Sequence, residues 1–445
     1  MIKVVKFGGS SLADAHQFKK AKAIITADSS RRFVVPSAPG KRVDDDIKVT
    51  DLLYAYYDTV ASGQDGDALC SVIRKRFYSI ARELNLPLNL DAEFDRIVLD
   101  FHQGAGRDYA ASRGEYLNGL LMAAYLDIPF VDAADVICFD ADGSFLPEQT
   151  NTALQLRLQD LEQAVIPGFY GSMPDGTIKT FSRGGSDITG SLVARAVNAD
   201  LYENWTDVSG FLLADPRIVE NPMPISTITY QELHELAAMG ASVLHEDAVF
   251  PVKDAGIPIN IKNTNRPNDP GTMIVHSTSQ QPSYNITGIA GKKGFCAVSI
   301  RRSACSGHHP DRRVLEILKG SKIPFESVCA GSDTIFVLMD QKEFRKKEQS
   351  IIAKLHDFVQ PDCISMESDL ALVAVGNRAD EHGISGHVMS ALECANINVK
   401  PVEPRRASPT VLVGVRNEDF ESAVRAIYNQ FIKPNYQKEA VAFPV

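Results

Sequence analysis

The sequence predicts an α/β fold in two parts: a first part with a largely parallel central sheet, and a second part made of two small α+β units. Two observations support this prediction. In the first part, short apolar runs alternate with stretches of helical spacing, which is typical of buried strands covered by helices. In the second part, the order strand, helix, strand, strand occurs twice.

The predicted strands of the first part are short and apolar. The first covers residues 4–7 and ends at two glycines, after which apolar residues recur at helical spacing up to Ile25. The remaining strands are predicted at residues 33–35, 128–131 and 164–166, and helices are predicted at 52–60 and 115–125.

A domain boundary is predicted near residue 283. Turn residues at 266–271 and a polar stretch at 277–282 precede it. The expected domains are residues 1–283, 284–360 and 361–445. The C-terminal tail is able to return to the domain of residues 284–360. Strands are expected at 297–300, 323–328, 334–338, 370–375, 396–402 and 410–415, and helices at 313–318, 384–392 and 420–431.

Composition and charge argue against several classes of protein. The chain has 445 residues, is 44% hydrophobic and carries a formal net charge of −10, which gives no support for nucleic-acid binding. No apolar run of about 18 residues occurs, so no membrane span is expected. The N-terminus lacks a secretory signal, and the seven cysteines are scattered without a C-x-x-C pair. We therefore expect a cytoplasmic protein with reduced thiols and no metal site of its own.

The first motif, residues 6–11, ends the first strand and opens a helix. Its sequence Lys-Phe-Gly-Gly-Ser-Ser would let the backbone of Gly8, Gly9 and Ser10 approach a phosphate, which the free N–H groups of a helix N-terminus attract. Lys6 adds a positive charge beside them. The spacing differs from that of a Walker A loop. The alternative is a tight strand–helix turn with an incidental lysine.

The second motif, residues 181–190, again lies between a strand and a helical run. Arg183 offers a fork of N–H donors that fits a carboxylate. Asp187 would orient a lysine or the metal-bound phosphates of a nucleotide. The alternative for Asp187 is a helix N-cap.

The third motif, residues 205–210, is followed by Asp215 and Arg217. A strand that runs into a polar turn is able to meet the base and ribose of a nucleotide, and Arg217 would reach a phosphate. The alternative is a loop held together by Asp–Arg pairs.

The order and spacing of these motifs resemble the aspartokinase family, within the wider amino-acid kinase fold. Residues 48–53, 112–115 and 167–171 look like further segments of that family, so the resemblance covers the whole chain. The paired units after residue 283 resemble the two ACT modules that aspartokinases carry as amino-acid sensors. The resemblance implies an amino-acid-kinase-like sandwich around a largely parallel sheet, followed by two ferredoxin-like ACT units.

The resemblance also implies an activity. Aspartokinases use ATP with Mg²⁺ to phosphorylate the β-carboxylate of L-aspartate, giving 4-phospho-L-aspartate, the first step toward lysine, threonine and methionine. The family's motifs assign catalysis to Lys6 and Asp187, phosphate binding to Gly8, Gly9, Ser10 and Arg217, aspartate binding to Thr50, Glu115, Phe169, Arg183 and Ser186, and nucleotide binding to Thr206, Asp207 and Asp215. In this assignment Arg183 holds the α-carboxylate of aspartate and Glu115 its α-ammonium.

Three departures from the family pattern are present. Ser242 stands where members commonly have a lysine that helps at the phosphates. Leu212 replaces an aromatic residue of the nucleotide segment, and residues 404–409 replace the usual run before the third strand of the second ACT unit. The candidates to replace the missing lysine are Lys253, Lys262 and Arg217.

Two other functions compete with this one. Another amino-acid kinase, acting on glutamate, acetylglutamate or a nucleotide, would not be expected to carry two ACT-like units. A sensor protein with a degenerate kinase domain has only Ser242 in its support.

Regulation is expected to involve an amino acid and association through the ACT-like units, as a homodimer or a dimer of dimers. L-lysine is the expected effector, because Glu326 lies close to where the family places an acidic contact for lysine, and Asp333 is a second candidate. The alternative is that Glu326 is an outward-facing strand residue. Threonine inhibition, alone or jointly with lysine, stays open.

Overall fold

The computed structural model describes residues 1–182, 184–238, 249–277, 286–301, 310–331, 333–377, 383–400 and 410–440. Contacts group the chain into two bodies, and each is described by itself. The N-terminal body comprises Met1–Phe211, Pro224–Leu233 and Val243–Ser279, and the C-terminal body comprises Leu212–Met223, His234–Ser242 and Gln280–Val445. The last change from one body to the other lies between Ser279 and Gln280, and two earlier segments also join the C-terminal body, which the sequence did not indicate. The domain boundary expected near residue 283 stays a prediction.

A mainly parallel sheet forms the centre of the N-terminal body. The described strands of the N-terminal body are β1 (Lys3–Phe7), β2 (Arg31–Pro36), β3 (Ala164–Val165), β4 (Tyr170–Ser172), β5 (Ile178–Thr180), β6 (Leu201–Thr206), β7 (Thr227–Thr229), β8 (Ile259–Asn263) and β9 (Thr272–Val275). The sheet has the order β3-β2-β1-β6-β8-β9-β7, and β4 pairs with β5 separately. All neighbours from β3 to β8 in this order are parallel, whereas β9 is antiparallel to β8. Parallel strands are covered on both faces, which explains why the predicted strands are continuous apolar runs.

Helices cover this sheet. Those up to residue 254 are α1 (Ala15–Thr26), α2 (Val49–Ala61), α3 (Asp67–Glu83), α4 (Leu90–His102), α5 (Arg107–Leu126), α6 (Pro147–Leu158), α7 (Gly185–Ala196), α8 (Tyr230–Ala238) and α9 (Phe250–Asp254). Helix α7 packs against β1, β2 and β6, and α5 packs against β2 and β3. Most residues of α5 between Ala110 and Ala123 are buried, so α5 is a central helix and not a one-sided surface helix.

One predicted strand of the first part does not form. Residues 128–131 contribute only an isolated parallel bridge between Phe130 and Val165. The carbonyl of Pro129 accepts the N–H of Val165, but Pro129 itself has no N–H to donate to a ladder. A buried apolar run is therefore insufficient for a strand when a proline interrupts its donors.

The C-terminal body contains one five-stranded antiparallel sheet. Its strands are β10 (Ile286–Arg301), β11 (Phe325–Ala330), β12 (Thr334–Asp340), β13 (Cys363–Asn377) and β14 (Val411–Arg416), and its helices are α10 (Pro310–Gly320), α11 (Gln341–Arg345), α12 (Glu348–Val359), α13 (Ile384–Cys394) and α14 (Phe420–Ala440). The strand order is β11-β12-β10-β13-β14, so the two repeated units share a sheet through their long first strands. The strand expected at 396–402 appears only as a bridge from Lys400 to Gly414, and residues 401–409 lie outside the described residues.

Membrane insertion through a helix finds no support in the part of the chain that the structure describes. None of its helices combines the length and the apolar character that crossing a bilayer requires.

A buried charge, Glu203 on β6, is fully paired inside the N-terminal body. Its side chain is 3% exposed and receives N–H bonds from Arg31 at 2.8 and 3.2 Å and from Trp205 at 2.9 Å. Trp205 is itself 1% exposed and stacks on Phe7. A buried carboxylate of this kind is stable only while its donors are in place, because an unpaired partner keeps its desolvation cost.

We predict that Glu203→Gln lowers the free energy of unfolding by about 3 kcal/mol, because it leaves the Arg31 guanidinium buried without its counter-charge. Chemical denaturation followed by far-UV circular dichroism measures this loss. The matched control is Glu148→Gln, whose carboxylate pairs with Arg195 while its side chain is 79% exposed, and we expect it to stay close to wild type. Equal midpoints for the two variants would contradict a structural role for the Glu203 network.

Candidate active site

Lys6 is held at the end of β1 by two side chains from neighbouring elements. Its Nζ lies 2.5 Å from Oδ1 of Asp187 in the first turn of α7 and 3.5 Å from Oδ1 of Asn204 on β6. The Asn204 amide donates in turn to Asp187 at 2.8 Å. The parallel register places Lys6 directly beside Asn204. Two polar side chains thus fix the lysine ammonium in a site where Lys6 is only 8% exposed.

The sequence analysis left two interpretations of Asp187 open, an orienting carboxylate or a helix N-cap. Asp187 is not the N-cap of α7, because Gly184 occupies that position, and Asp187 instead pairs with Lys6.

Asn204 was missed by the sequence analysis. The signal that would have found it is an amide beside Glu203 and Trp205 in a buried strand, since a buried amide needs a partner.

The glycine turn after β1 is a short 3-10 helix, Gly9–Leu12. The N–H of Gly8 donates to the carbonyl of Trp205 at 2.9 Å, so this N–H is not free for a phosphate as the sequence analysis expected. The N–H groups of Gly9 and Ser10 begin the 3-10 helix, where no intrahelical acceptor serves them. The structure therefore leaves Gly9 and Ser10 as the backbone donors of this turn.

A cavity of about 570 Å³ opens beside the glycine turn. Predicted residues Gly9, Ser10, Thr50, Glu115 and Asp207 line it together. The remaining lining residues, which the sequence analysis did not single out, are Ser37, Ala38, Pro39, Gly40, Lys41, Arg42, Val43, Asp44 and Lys48. The lining includes three cationic residues, Lys41, Arg42 and Lys48, and three acidic residues, Asp44, Glu115 and Asp207, so the cavity is polar and offers charges of both signs.

Glu115 is the buried acid of this cavity. It lies on α5, is 6% exposed, and its Oε2 has no hydrogen-bond partner in the described residues. Burial raises the pKa of Glu115 from 4.5 to about 8, although the N–H of Ala38 and the charge of Lys6 act in the opposite direction. Close packing produces this position, since a Cβ on Gly114 would lie 2.8 Å from the Cβ of Ala38. An unpartnered carboxylate oxygen in a polar cavity is suited to an ammonium group.

Phe169 and Ser186 meet at the N-terminus of α7. Phe169 adopts φ 81°, a left-handed conformation that is strained for a non-glycine residue, and its N–H donates to Thr189 at 3.1 Å. A Cβ on Gly168 would lie 2.6 Å from the Cβ of Ser186, so only glycine fits there. Neither Phe169 nor Ser186 is among the residues that line the 570 Å³ cavity. Their predicted contact with aspartate stays a prediction.

The residues predicted for the nucleotide are divided between the two bodies. Thr206 ends β6, and its hydroxyl donates to Asp207 at 3.2 Å. Asp215 and Arg217 belong to the C-terminal body, where the guanidinium of Arg217 binds Asp215 at 2.6 Å. An Asp–Arg pair of this kind is what the alternative for the third motif, a loop held together by such pairs, describes. The side chain of Arg217 is 87% exposed.

Arg183 and Ser242 lie outside the described residues. Among the candidates to replace the lysine missing at 242, Lys262 lies beside Trp205 in the sheet, and its ammonium is 5.3 Å from the centre of that ring. Neighbouring strands align their side chains by face, so Lys262 and Lys6 are on opposite faces of the sheet. Lys253 lies over the ring of Phe250, and Arg217 binds Asp215. Lys262 is therefore not brought to the Lys6 site, and a role for Lys253 or Arg217 at the phosphates stays a prediction.

The two residues predicted for an effector lie in the C-terminal body. Glu326 is a half-buried residue of β11, and Asp333 is an exposed residue just before β12 that accepts a bond from the Thr334 hydroxyl at 3.1 Å. Their role stays a prediction.

A magnesium ion would have to be carried by the nucleotide. The described residues contain no group of three or more His, Cys, Asp or Glu side chains that would hold a metal by itself. Mg²⁺ in kinases is normally bound by substrate phosphates together with one or two carboxylates. Asp187 and Asp207 are the carboxylates at this site that fit such a role.

Comparison with known proteins first identifies the family to which the chain is similar. Residues 1–263 match the amino acid kinase family. Aspartokinase 3 of Bacillus subtilis is 35% identical over 97% of this chain and 98% of its own length. A crystal structure of the aspartate kinase of Clostridium acetobutylicum superposes with a TM-score of 0.93 at 47% identity, over 97% of this chain and 100% of that chain.

A third relative is the lysine-sensitive aspartokinase 3 of Escherichia coli, which is 26% identical over 97% of this chain and 99% of its own length. The chain belongs to the amino acid kinase family and, within it, to the aspartokinases.

We predict that Glu115→Gln stabilises the protein at pH 8 by a few kcal/mol, about the size of the shift in pKa. The pKa of Glu115 is about 8 when folded and 4.5 ordinarily, so between these values the unfolded chain releases a proton that the folded chain keeps. Wild-type stability therefore falls as pH rises through this window. Denaturation at pH 4.5, 6 and 8 measures the difference, which should shrink toward pH 4.5. A constant difference at all three values would contradict a raised pKa.

Proposed function

We propose that this chain acts as an aspartokinase, which moves the γ-phosphoryl group of ATP to the β-carboxylate of L-aspartate and releases ADP and 4-phospho-L-aspartate. The observation that supports this most is the buried Lys6–Asp187 pair next to a glycine turn and a cavity that contains the buried carboxylate of Glu115. The relatives that match almost the whole chain are named aspartokinases.

The acceptor side of the cavity would recognise the amino-acid backbone of aspartate. Oε2 of Glu115, which has no hydrogen-bond partner among the described residues, would accept an N–H bond from the α-ammonium, and Thr50 lines the same cavity. Arg183 is proposed to hold the α-carboxylate. Because the pKa of empty Glu115 is about 8, binding of the ammonium group draws a proton off this residue, and aspartate binds more tightly as pH rises toward 8. Phe169 and Ser186 would complete this end of the site.

The donor side would align and neutralise the phosphates. Lys6 places a fixed ammonium at the transferring group, and the N–H groups of Gly9 and Ser10 bind phosphate oxygens. Mg²⁺ bound with ATP would supply further neutralisation of phosphate charge, and Asp187 and Asp207 are the residues proposed to help to hold it. Thr206, Asp207, Asp215 and Arg217 are the residues proposed to hold the rest of the nucleotide.

The chemical step needs no general base. An oxygen of the ionised β-carboxylate forms the new bond to the γ-phosphorus while the bond to the β–γ bridging oxygen breaks, and ADP leaves with that electron pair. Catalysis is then mainly alignment and charge neutralisation, for which a preorganised lysine is well suited.

A coupled assay for ADP separates this function from its competitors. ADP release that requires L-aspartate supports an aspartokinase, whereas release with glutamate, acetylglutamate or a nucleotide instead supports another amino-acid kinase. No release with any acceptor, together with a higher melting temperature in the presence of lysine, supports a sensor.

We further propose that L-lysine regulates the enzyme and that the chain forms a homodimer or a dimer of dimers through its C-terminal body. The lysine-sensitive relative from Escherichia coli matches nearly the whole chain, which supports the first proposal. For the second, β11 lies at one edge of the five-stranded sheet without a further strand beside it among the described residues, and an open edge favours association with another copy.

We predict that Lys6→Met lowers kcat by about 10²–10³, because one preorganised charge at a phosphoryl transition state is lost. The size and apolar stem of the side chain are kept, so the fold should be retained. Steady-state kinetics measures the change, and Lys19→Met, at an exposed position of α1, is the matched control. Turnover of Lys6→Met within a few-fold of the control would remove Lys6 from the mechanism.

We predict that millimolar L-lysine inhibits the wild type and that Glu326→Gln weakens this inhibition by roughly tenfold or more, since an acid is the natural partner of a lysine side chain. Uninhibited turnover should stay near wild type. Inhibition curves with lysine and with threonine measure the effect, and Glu343→Gln on α11 is the control. A wild-type rate that lysine does not change would exclude lysine as the effector.

A further inference from the structure

Arg76 is a buried arginine behind the cavity, and the catalytic roles above do not use it. It lies on α3, and its side chain is 4% exposed. One end of the guanidinium donates to the carbonyl of Ala13 at 3.0 Å. The other end donates to the carboxylate of Asp46 at 2.5 Å and to the carbonyl of Ile47 at 3.4 Å. A single side chain therefore connects two segments that are far apart in sequence.

These two segments border the cavity on different sides. Ala13 directly follows the 3-10 helix of the glycine turn. Asp46 and Ile47 belong to residues 41–48, here named the 41–48 loop, which contributes Lys41, Arg42, Val43, Asp44 and Lys48 to the cavity lining. Arg76 thus touches the supports of both walls without lining the cavity itself.

The 41–48 loop has few other attachments. Its described hydrogen bonds to other parts of the N-terminal body are the two from Arg76 and one from the N–H of Leu52 to the carbonyl of Lys48, the last residue of the loop, at 3.1 Å. Other bonds of the loop, such as those between Arg42 and Asp46, stay within it. Its apolar residues Val43 and Ile47 are 66% and 53% exposed, so they do not anchor it by burial.

The glycine turn, by contrast, has independent anchors. The N–H of Gly8 donates to Trp205 at 2.9 Å, and the hydroxyl of Ser11 accepts a bond from Thr264 at 2.7 Å. Loss of Arg76 would therefore loosen the middle of the 41–48 loop. The bond from the N–H of Gly40 to the carbonyl of Gly9 at 2.8 Å would still hold its start, and the glycine turn would stay in place.

We propose that Arg76 is a positioning residue that fixes the 41–48 loop against the glycine turn and so sets the geometry of the acceptor side of the cavity. This inference rests on the proposed aspartokinase function. The loop leads directly into the first turn of α2, which contains Thr50. A guanidinium is needed here because three acceptors in different directions must be served at once, and an ammonium on a flexible stem does not reproduce that fork.

The test compares Arg76→Lys with Arg74→Lys, a control two residues earlier on α3 whose arginine pairs with the more exposed Asp91 and Asp95. We expect Arg76→Lys to raise the KM for aspartate about tenfold or more and to lower kcat by a similar factor, while the KM for ATP changes by less than about threefold, a split typical of lost acceptor alignment. Arg74→Lys should match wild type in all three constants.

Asp46→Asn tests the same connection from the loop side and leaves α3 unaltered. It should shift the aspartate constants in the same direction, and the double variant Arg76→Lys/Asp46→Asn should be less impaired than the product of the two single effects, because both remove one interaction. Unchanged aspartate kinetics in Asp46→Asn, multiplicative effects, or equal rises in both KM values would overturn the inference. A wild type without aspartate-dependent ADP release would refute the proposed function instead, which distinguishes the two failures.

Discussion

The ion pair between Lys6 and Asp187 is the interaction on which the site depends. A lysine that is 8% exposed needs a counter-charge, and Asp187 supplies it from the first turn of α7. The geometry follows from the sheet, because the parallel pairing of β1 with β6 puts Asn204 beside Lys6 and lets its amide bridge to the same carboxylate. The position of one helix terminus and the register of two strands are thus fixed by the same three polar groups.

A second constraint acts on the acceptor side of the cavity. Helix α5 lies so close to the strand-end segment at Ala38 that only glycine fits at 114, and this packing removes the neighbouring Glu115 from water. The ionised form of a carboxylate buried in this way is destabilised when the cavity is empty, and a cationic ligand stabilises it. The same burial that costs stability therefore provides affinity, which is a common relation between function and stability at binding sites.

The sequence predicted the residues whose role depends on local pattern. Lys6 lies near the end of a buried strand, Gly9 and Ser10 follow it, and Glu115 lies in a recognisable segment, so the sequence selects these residues without knowledge of the fold. Their roles stay predictions. The Lys6–Asn204 contact was not predictable, because it joins residues 198 positions apart through a strand register that local spacing does not encode. Arg76 was missed for the same reason. The prediction that the Gly8 N–H binds a phosphate was wrong, because this N–H donates to the carbonyl of Trp205. The strand predicted at 128–131 does not form, because Pro129 has no N–H to donate.

The position of Trp205 gives the protein an optical property. It is the only tryptophan of the chain, it is 1% exposed, and it directly follows Asn204 on the strand that supports the lysine site. Its ring stacks on Phe7 and has Arg31 and Lys262 over it at 5.3 Å each, while its carbonyl holds the N–H of Gly8. The tryptophan emission of the chain therefore arises from one buried indole next to the glycine turn, and its wavelength and intensity report on the electric field of that turn without any attached dye.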